Sequence, residues 1–169
     1  AATVGGFKSM FMAFVVLTLA WSLGQVCTDL ETAGFLKSAV GSGLPINMLP
    51  VAVFLVAAMV SFATGTSWGT MAILTPLAVP LALDGDPNSL HVLAATVAAI
   101  LGGSVFGDHC SPISDTTILS SMASGCDHVD HVRTQLPYAL FAAAVAVFVG
   151  YLPEALTDAP AWILLAIGA

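Results

Sequence analysis

The chain alternates between long apolar stretches and short polar segments, and the apolar stretches set the first interpretation. No Asp, Glu, Lys or Arg occurs in residues 9–28, 38–83, 87–107 or 134–153. A helix rises about 1.5 Å per residue, so about 20 apolar residues cross the hydrocarbon core of a bilayer. The pattern therefore predicts an all-α polytopic membrane protein.

Three of the predicted helices are uninterrupted apolar runs. The hydrophobic pattern predicts transmembrane helices over residues 9–26 and 134–151, and the start of a further helix over residues 160–169. Polar segments separate them, at residues 27–44 after the first helix and at residues 125–133 before the second. These segments are predicted to be loops at the membrane surface.

Residues 46–83 are too many for one crossing, and they predict a re-entrant hairpin. The apolar run is interrupted at residues 63–70, which contain two glycines and four hydroxyl residues. Apolar residues resume only at 71–83, where Pro76 and Pro80 break them, so this second arm reaches about 20 Å. Two arms that enter and leave by the same side fit better than two full crossings. Such backbone is tolerated at membrane depth where protein or a wet cavity encloses it.

Residues 89–124 predict a discontinuous helix. An apolar helix over 89–106 is interrupted at 107–115 and resumes over 116–124. Pro112 lacks a backbone N–H and prevents a continuous hydrogen-bond ladder. Because these 36 residues exceed the need of one crossing, a second hairpin remains an alternative to one broken span.

Composition and charge agree with a membrane protein. The sequence is 58% hydrophobic and 8% charged, whereas soluble domains carry about 25% charged residues. A net charge of −7 disfavours nucleic acid as a partner. The low share of charged residues makes the lipid bilayer of the inner (cell) membrane the expected environment. The odd number of cysteines, three, predicts no disulfide framework.

The ends of the sequence indicate a piece of a longer protein. The first residue is not Met, and the last apolar run stops after about half of a membrane crossing. We therefore expect the N-terminal half of the same protein to be a missing partner of this chain. A homodimer is left open as the oligomeric state.

The two polar interruptions carry the candidate chemistry. Paired broken helices form substrate and ion sites in transporters, where half-helix ends and freed carbonyls supply ligands. The candidate ion or substrate ligands are Thr64, Thr66 and Ser67 in the first interruption and Asp108, Ser111, Ser114, Asp115 and Thr116 in the second. Oxygen ligands suit sodium. Burial favours a protonated carboxyl and a bound cation favours an ionised one, so one group can hold either ion.

Other readings of these residues stay open. A hydroxyl in a membrane helix often bonds its own backbone, and Asp115 has the position of a helix N-cap. His109 is a candidate for an ion ligand, a proton-relay member or a helix breaker. His128, Asp130 and His131 have the composition of a zinc site but lack an obvious fourth ligand, so no metal other than sodium is predicted.

An enzyme is not predicted. Asp108, His109, Cys110 and Ser111 contain hydrolase residue types, but consecutive residues point in different directions and cannot form a triad. The sequence also lacks a G-x-S-x-G nucleophile motif.

Residues 107–140, GDHCSPISDTTILSSMASGCDHVDHVRTQLPYAL, closely resemble the C-terminal region of the NhaC-type sodium/proton antiporter family. Residues 61–70, SFATGTSWGT, and the Lys8-Ser9-Met10 opening of the first helix resemble that family too. The resemblance implies a transporter of two inverted repeats, each with a re-entrant hairpin and a broken helix, with this chain as the second repeat. The matching motif positions are Thr64, Gly65, Thr66, Ser67, Gly69, Asp108, Ser111, Pro112, Ser114, Asp115 and Thr116.

The resemblance and the residues together predict a secondary transporter that exchanges sodium for protons. Asp108 and Asp115 are the predicted carriers, and no cofactor is expected beyond the transported sodium ion and proton. The alternative is a sodium- or proton-coupled exchanger of small organic anions, of the malate/lactate type, or of amino acids.

Overall fold

The structure is a computed structural model, and it describes residues 45–85 and 90–157 together with positions 18, 22, 25, 26, 29, 30 and 167. The predicted helices over residues 9–26 and 160–169 lie, apart from these single positions, outside the described residues. They stay predictions.

Within the described residues the chain folds into helices and contains no strand. The helices are α1 (Leu49–Thr64), α2 (Ser67–Gly85), α3 (Leu90–Cys110), α4 (Asp115–Ala123), α5 (His128–Val145) and α6 (Leu152–Leu156). A 3₁₀ turn, Ile46–Met48, precedes α1, and a π-helical segment, Ala146–Tyr151, joins α5 to α6. Three helical stretches are long and apolar enough to cross a membrane: Ile46–Thr64, Leu90–Cys110 and His128–Leu156. The prediction of an all-α membrane protein is confirmed.

The first break, Gly65 and Thr66 between α1 and α2, is narrower than the interruption predicted at 63–70. Gly65 alone ends α1, because it takes a left-handed conformation with φ of 68° and its N–H donates to the Ser61 carbonyl at 2.8 Å. Helix α2 then continues through Pro76 and Pro80. Its 19 residues reach about 28 Å, longer than the arm of about 20 Å expected from residues 71–83, and the re-entrant hairpin stays a prediction.

The second break, residues 111–114 between α3 and α4, also begins later than predicted. Helix α3 continues to Cys110, so Asp108 and His109 are helical rather than part of the interruption. The helix ends there because Ser111 precedes Pro112, which disfavours a helical conformation at Ser111. Helix α4 resumes at Asp115.

Ser114, and not Asp115, is the N-cap of α4. The Ser114 Oγ accepts a hydrogen bond from the Thr116 N–H at 3.2 Å, and Asp115 is the first helical residue. A serine hydroxyl satisfies the orphan N–H groups of a first turn as well as a carboxylate does, so the sequence did not distinguish the two.

Helix α5 begins six residues before the predicted position of 134. Asp127 caps it, because its Oδ1 accepts hydrogen bonds from the N–H groups of Val129 at 2.9 Å and Asp130 at 3.1 Å. The polar residues expected to form a turn therefore occupy the first two turns of a helix. The capping carboxylate and the acidic first turn suit the positive end of the helix dipole.

The core lies where α1 and α2 pack against α3, and small residues allow α1 to approach α3 closely. A Cβ atom added at Gly103 would overlap the Phe54 carbonyl oxygen, and one at Gly107 would overlap the Ala58 carbonyl oxygen. Close backbone approach through small residues is how membrane helices gain packing energy without a hydrophobic driving force. The Ser61 hydroxyl adds a 2.6 Å hydrogen bond to the Ser104 carbonyl.

The last described segment returns to this core. Tyr151, at the end of the π-helical segment, lies 5.2 Å from Phe54 between ring centroids. Glu154 in α6 lies 3.1 Å from His91 near the start of α3. These contacts attach the far end of the α5–α6 stretch to the core.

Candidate ion site at the second break

Asp108 is the buried carboxyl at the second break. It lies in the last turn of α3 and is 7% exposed. Its Oδ1 accepts a hydrogen bond from the Ser114 Oγ at 2.8 Å, and its Oδ2 accepts one from the Thr116 Oγ1 at 3.0 Å. The Ser114 and Thr116 hydroxyl oxygens are 2.8 Å apart. The carboxyl and two hydroxyls form a closed ring, called the Asp108 ring below.

The Asp108 ring holds a different number of protons in the two states of the carboxyl. It contains three oxygen–oxygen contacts, and each hydroxyl brings one proton. With an ionised carboxylate, the two hydroxyl protons can form only two of the three contacts as hydrogen bonds. The Ser114 and Thr116 oxygens then lie 2.8 Å apart without a proton between them. A protonated carboxyl supplies the third proton and completes the ring. Oxygens left without a proton can instead coordinate a cation.

The ring stands between the ends of two half-helices. Ser114 is at once a ring member and the N-cap of α4, so the positive end of that helix lies beside the carboxyl. At the other end of the break, the His109 carbonyl accepts hydrogen bonds from the Thr117 hydroxyl at 3.4 Å and from the Gln135 side-chain amide. The end of α3 that carries Asp108 is therefore hydrogen-bonded to α4 and to α5.

Ser111 connects the ring to the backbone of the break. Its side chain is fully buried, and its N–H donates to the Asp108 carbonyl at 3.1 Å. Its Oγ accepts a 3.4 Å hydrogen bond from the Ile113 N–H, and its carbonyl accepts one from the Ser114 N–H at 3.3 Å. Of the predicted ligands, Ser114 and Thr116 therefore contact the Asp108 carboxyl, and Ser111 contacts the Asp108 backbone carbonyl.

The two breaks are in contact. A Cβ atom added at Gly65 would lie 2.9 Å from the Ile113 carbonyl oxygen and 3.0 Å from the Ile113 Cγ1 atom. The left-handed glycine of the first break therefore packs directly on the backbone of the second. The two interruptions have a similar composition, and in the fold they are in direct contact.

The hydroxyls of the first break do not join the Asp108 ring. Thr64 donates to the Val60 carbonyl at 2.8 Å, and the Thr66 Oγ1 accepts from the Gly69 N–H at 3.3 Å. Both side chains are exposed, and Ser67 is half-buried. These hydroxyls therefore bond to the local backbone, which is the alternative to an ion-ligand role that the sequence left open.

Asp115 and His109 also lie outside the ring. Asp115 is exposed at the first position of α4, and the His109 side chain is exposed near the end of α3. Within residues 90–157 neither side chain approaches the carboxyl of Asp108 by a hydrogen bond.

Sequence reasoning missed His128 and Gln135 as neighbours of the second break. The His128 Nε2 lies 2.7 Å from the Pro112 carbonyl oxygen, and the Nδ1 lies 3.1 Å from the Ser121 Oγ. Because both ring nitrogens already contact protein atoms, this geometry does not suit His128 as a zinc ligand. Asp127 is a typical helix N-cap residue, so the sequence could have placed His128 at the start of α5. No sequence signal pointed to Gln135.

Comparison with known proteins identifies relatives of this chain. The sequence model of the Na+/H+ antiporter family matches residues 1–153. An uncharacterised protein of Haemophilus influenzae is 44% identical over 87% of the chain, and the malate-2H(+)/Na(+)-lactate antiporter of Bacillus subtilis is 32% identical over 80%. The Na(+)/H(+) antiporter NhaC of Alkalihalophilus pseudofirmus is 29% identical over 79%.

The chain spans 28% of the length of each of these three relatives. No solved structure matches it significantly. The family match and the three apolar helices of the described residues identify a multi-pass protein of the cell membrane. Because the family model matches nearly the whole length of the chain, the chain belongs to the Na+/H+ antiporter family.

Proposed function

We propose that the protein to which this chain belongs exchanges sodium for protons across the cell membrane. The observation that carries the proposal is the Asp108 ring: a buried carboxyl whose two oxygens accept hydrogen bonds from Ser114 and Thr116. The ring needs either a third proton or a cation to satisfy its oxygens. That requirement is the physical basis of competition between the two ions.

The exchange cycle follows from this competition. When Asp108 is ionised, its oxygens and the hydroxyls of Ser111, Ser114 and Thr116 offer a compact set of oxygen ligands, which a hard cation such as sodium prefers. When Asp108 takes up a proton, the ring closes and the carboxylate charge that holds sodium is lost. Loading from opposite sides of the membrane then couples sodium movement in one direction to proton movement in the other.

The remaining predicted ligands belong to the same proposal. Asp115, Thr64, Thr66 and Ser67 lie near the two breaks and are exposed or half-buried in this chain. We assign them to the surface that the missing N-terminal half covers, where they line the ion pathway outside the Asp108 ring, with His109 as a proton-relay member. In this proposal the chain is the second of two inverted repeats, with α1 and α2 as its re-entrant hairpin.

A second candidate is exchange of a small organic anion coupled to the same ions. It is favoured by the relative named as a malate-2H(+)/Na(+)-lactate antiporter. A substrate carboxylate would bind at the N-terminus of α4, whose partial positive charge attracts anions. Sodium-dependent uptake of labelled malate or lactate, without proton movement driven by sodium alone, would favour this candidate; exchange of an amino acid would be detected in the same way.

The test uses the full-length protein in everted membrane vesicles, with a fluorescent probe of the transmembrane pH difference. Sodium should collapse a preformed pH difference, and Asp108→Asn should reduce this response to the background of vesicles without the protein. We expect Asp115→Asn to reduce it less, because Asp115 is exposed.

Asp130→Asn is the matched control, because it makes the same chemical change in the exposed first turn of α5. It should leave the response near that of the unaltered protein. Equal responses from the Asp108 and Asp130 variants would contradict the assignment of the site.

A further inference from the structure

The His128 side chain joins three parts of the fold at the second break. It lies at the first position of α5, which Asp127 caps. Its Nε2 contacts the Pro112 carbonyl oxygen in the break at 2.7 Å. Its Nδ1 contacts the Ser121 Oγ in α4 at 3.1 Å, and Ser121 is 1% exposed.

The direction of the hydrogen bond to Pro112 follows from the chemistry of its partner. A carbonyl oxygen can only accept, so the Nε2 atom must carry a proton and donate it. The Ser121 hydroxyl proton has two acceptors within reach, the Ile118 carbonyl at 2.8 Å and the Nδ1 atom of a neutral imidazole, whereas Nδ1 donates to the Ser121 oxygen when the imidazole is charged. The bond to Pro112 is therefore made in either protonation state of His128.

Holding the Pro112 carbonyl fixes the peptide plane that follows it. The Pro112–Ile113 peptide bond is trans, so its C=O and N–H groups lie in one plane and point in opposite directions. The C=O points to His128, and the N–H donates to the Ser111 Oγ at 3.4 Å. A rotation of this plane would break both hydrogen bonds.

Ser111 directly follows α3, three residues after Asp108, whose carboxyl the proposed function uses. Its backbone N–H donates to the Asp108 carbonyl, and its own carbonyl accepts from Ser114, a member of the Asp108 ring. The orientation of the 112–113 peptide plane therefore determines where the Ser111 oxygen atoms lie relative to the ring.

We propose that His128 is a positioning residue for the ion site: through the Pro112–Ile113 peptide plane it orients Ser111, whose backbone is hydrogen-bonded to Asp108 and to Ser114. This inference rests on the proposed function, because it names Ser111 as an ion ligand. It assigns His128 no contact with the transported ion.

Three variants of the full-length protein separate the two hydrogen bonds. His128→Ala removes both of them. His128→Gln keeps a donor near the place of Nε2 and can still reach the Pro112 carbonyl, whereas His128→Asn keeps a polar atom near Nδ1 and reaches only Ser121. His131→Ala is the matched control, since His131 lies on the same helix and its side chain has no hydrogen bond within residues 90–157.

Sodium dependence of proton movement is the first measurement. His128→Ala and His128→Asn should raise the sodium concentration for half-maximal response by about three- to tenfold, the change expected for loss of one positioning hydrogen bond. His128→Gln should restore the original value, and His131→Ala should not change it. A fall in maximal rate at unchanged half-saturation, or a Gln variant as impaired as the Ala variant, would overturn the proposal.

Amide hydrogen exchange of residues 110–118 is a second measurement that needs no transport. In the purified full-length protein, His128→Ala should accelerate exchange in this segment by about three- to tenfold, and His128→Gln should not. If sodium moves no protons in the unaltered protein while this exchange pattern is found, the proposed function fails and the structural connection stands. Equal exchange in all variants would refute the connection itself.

Discussion

The two breaks have similar composition but different hydrogen bonding. Both combine glycine or proline with hydroxyl side chains, and they touch each other at Gly65 and Ile113. At the first break the Thr64 and Thr66 side chains hydrogen-bond to nearby backbone. At the second break the Ser114 and Thr116 hydroxyls reach back across four residues of irregular chain to Asp108.

The difference shows what turns a cluster of hydroxyl residues into a candidate ion site. A left-handed glycine ends α1 within two residues, so Thr64 stays in helical backbone and donates to the Val60 carbonyl one turn earlier, while Thr66 accepts from the Gly69 N–H at the start of α2. Pro112 forces a wider break, and its far side presents a capping serine toward the end of α3. The wider break brings side chains from two half-helices to one carboxyl.

Removing the two hydroxyls of the Asp108 ring should have the largest effect of the changes at the two breaks. The double variant Ser114→Ala with Thr116→Val removes both donors to Asp108 and should raise the half-saturating sodium concentration by about tenfold or more, since each bond to a charged group contributes about 1.5–3 kcal/mol. Sodium titration of proton movement in vesicles of the full-length protein measures it. An unchanged half-saturation would mean that the hydroxyls are structural.

Gly65→Ala should have an intermediate effect, on stability. A non-glycine residue in the left-handed region costs about 1–2 kcal/mol, and the new Cβ would also press on the Ile113 carbonyl. Gly125→Ala is the control, because Gly125 has a similar φ of 63° with nothing within 4 Å of an added Cβ. Thermal unfolding in detergent should show a larger loss for Gly65→Ala; equal losses would indicate that the contact between the breaks contributes nothing.

The matched pair at the first break should have the smallest effect. Thr64→Val with Thr66→Val removes the same number of hydroxyls, and both side chains are exposed and bonded to local backbone. We expect less than about a twofold change in half-saturating sodium, because such local bonds contribute little to a site that they do not touch. A change as large as that of the ring variant would place sodium ligands in the first break as well.

The sequence predicted the helices well where apolar runs decide them. The apolar runs of residues 46–62 and 89–106 became most of α1 and most of α3, and the start of α4 was placed within one residue. The polar residues were harder to place. Asp108 was assigned to the break because a carboxyl is costly in an apolar helix, yet it is helical, since two hydroxyls from beyond the break satisfy it.

The candidate site could be predicted only in part for the same reason. Asp108, Ser111, Ser114 and Thr116 are close in sequence, so a local pattern was enough to group them. His128 reaches the Pro112 carbonyl from 16 residues away, and the contact of Gly65 with Ile113 joins positions 48 residues apart. Contacts of that kind depend on how helices pack, which hydrophobic periodicity does not encode.

Proton release on sodium binding tests the central claim most directly. Sodium chloride is added to the purified full-length protein in weakly buffered solution containing a pH indicator, with choline chloride as the control for ionic strength. The account predicts that sodium releases protons in a saturable way, that Asp108→Asn abolishes the release and that Asp130→Asn preserves it. Sodium binding without proton release, or an undiminished release from the Asp108→Asn protein, would contradict it.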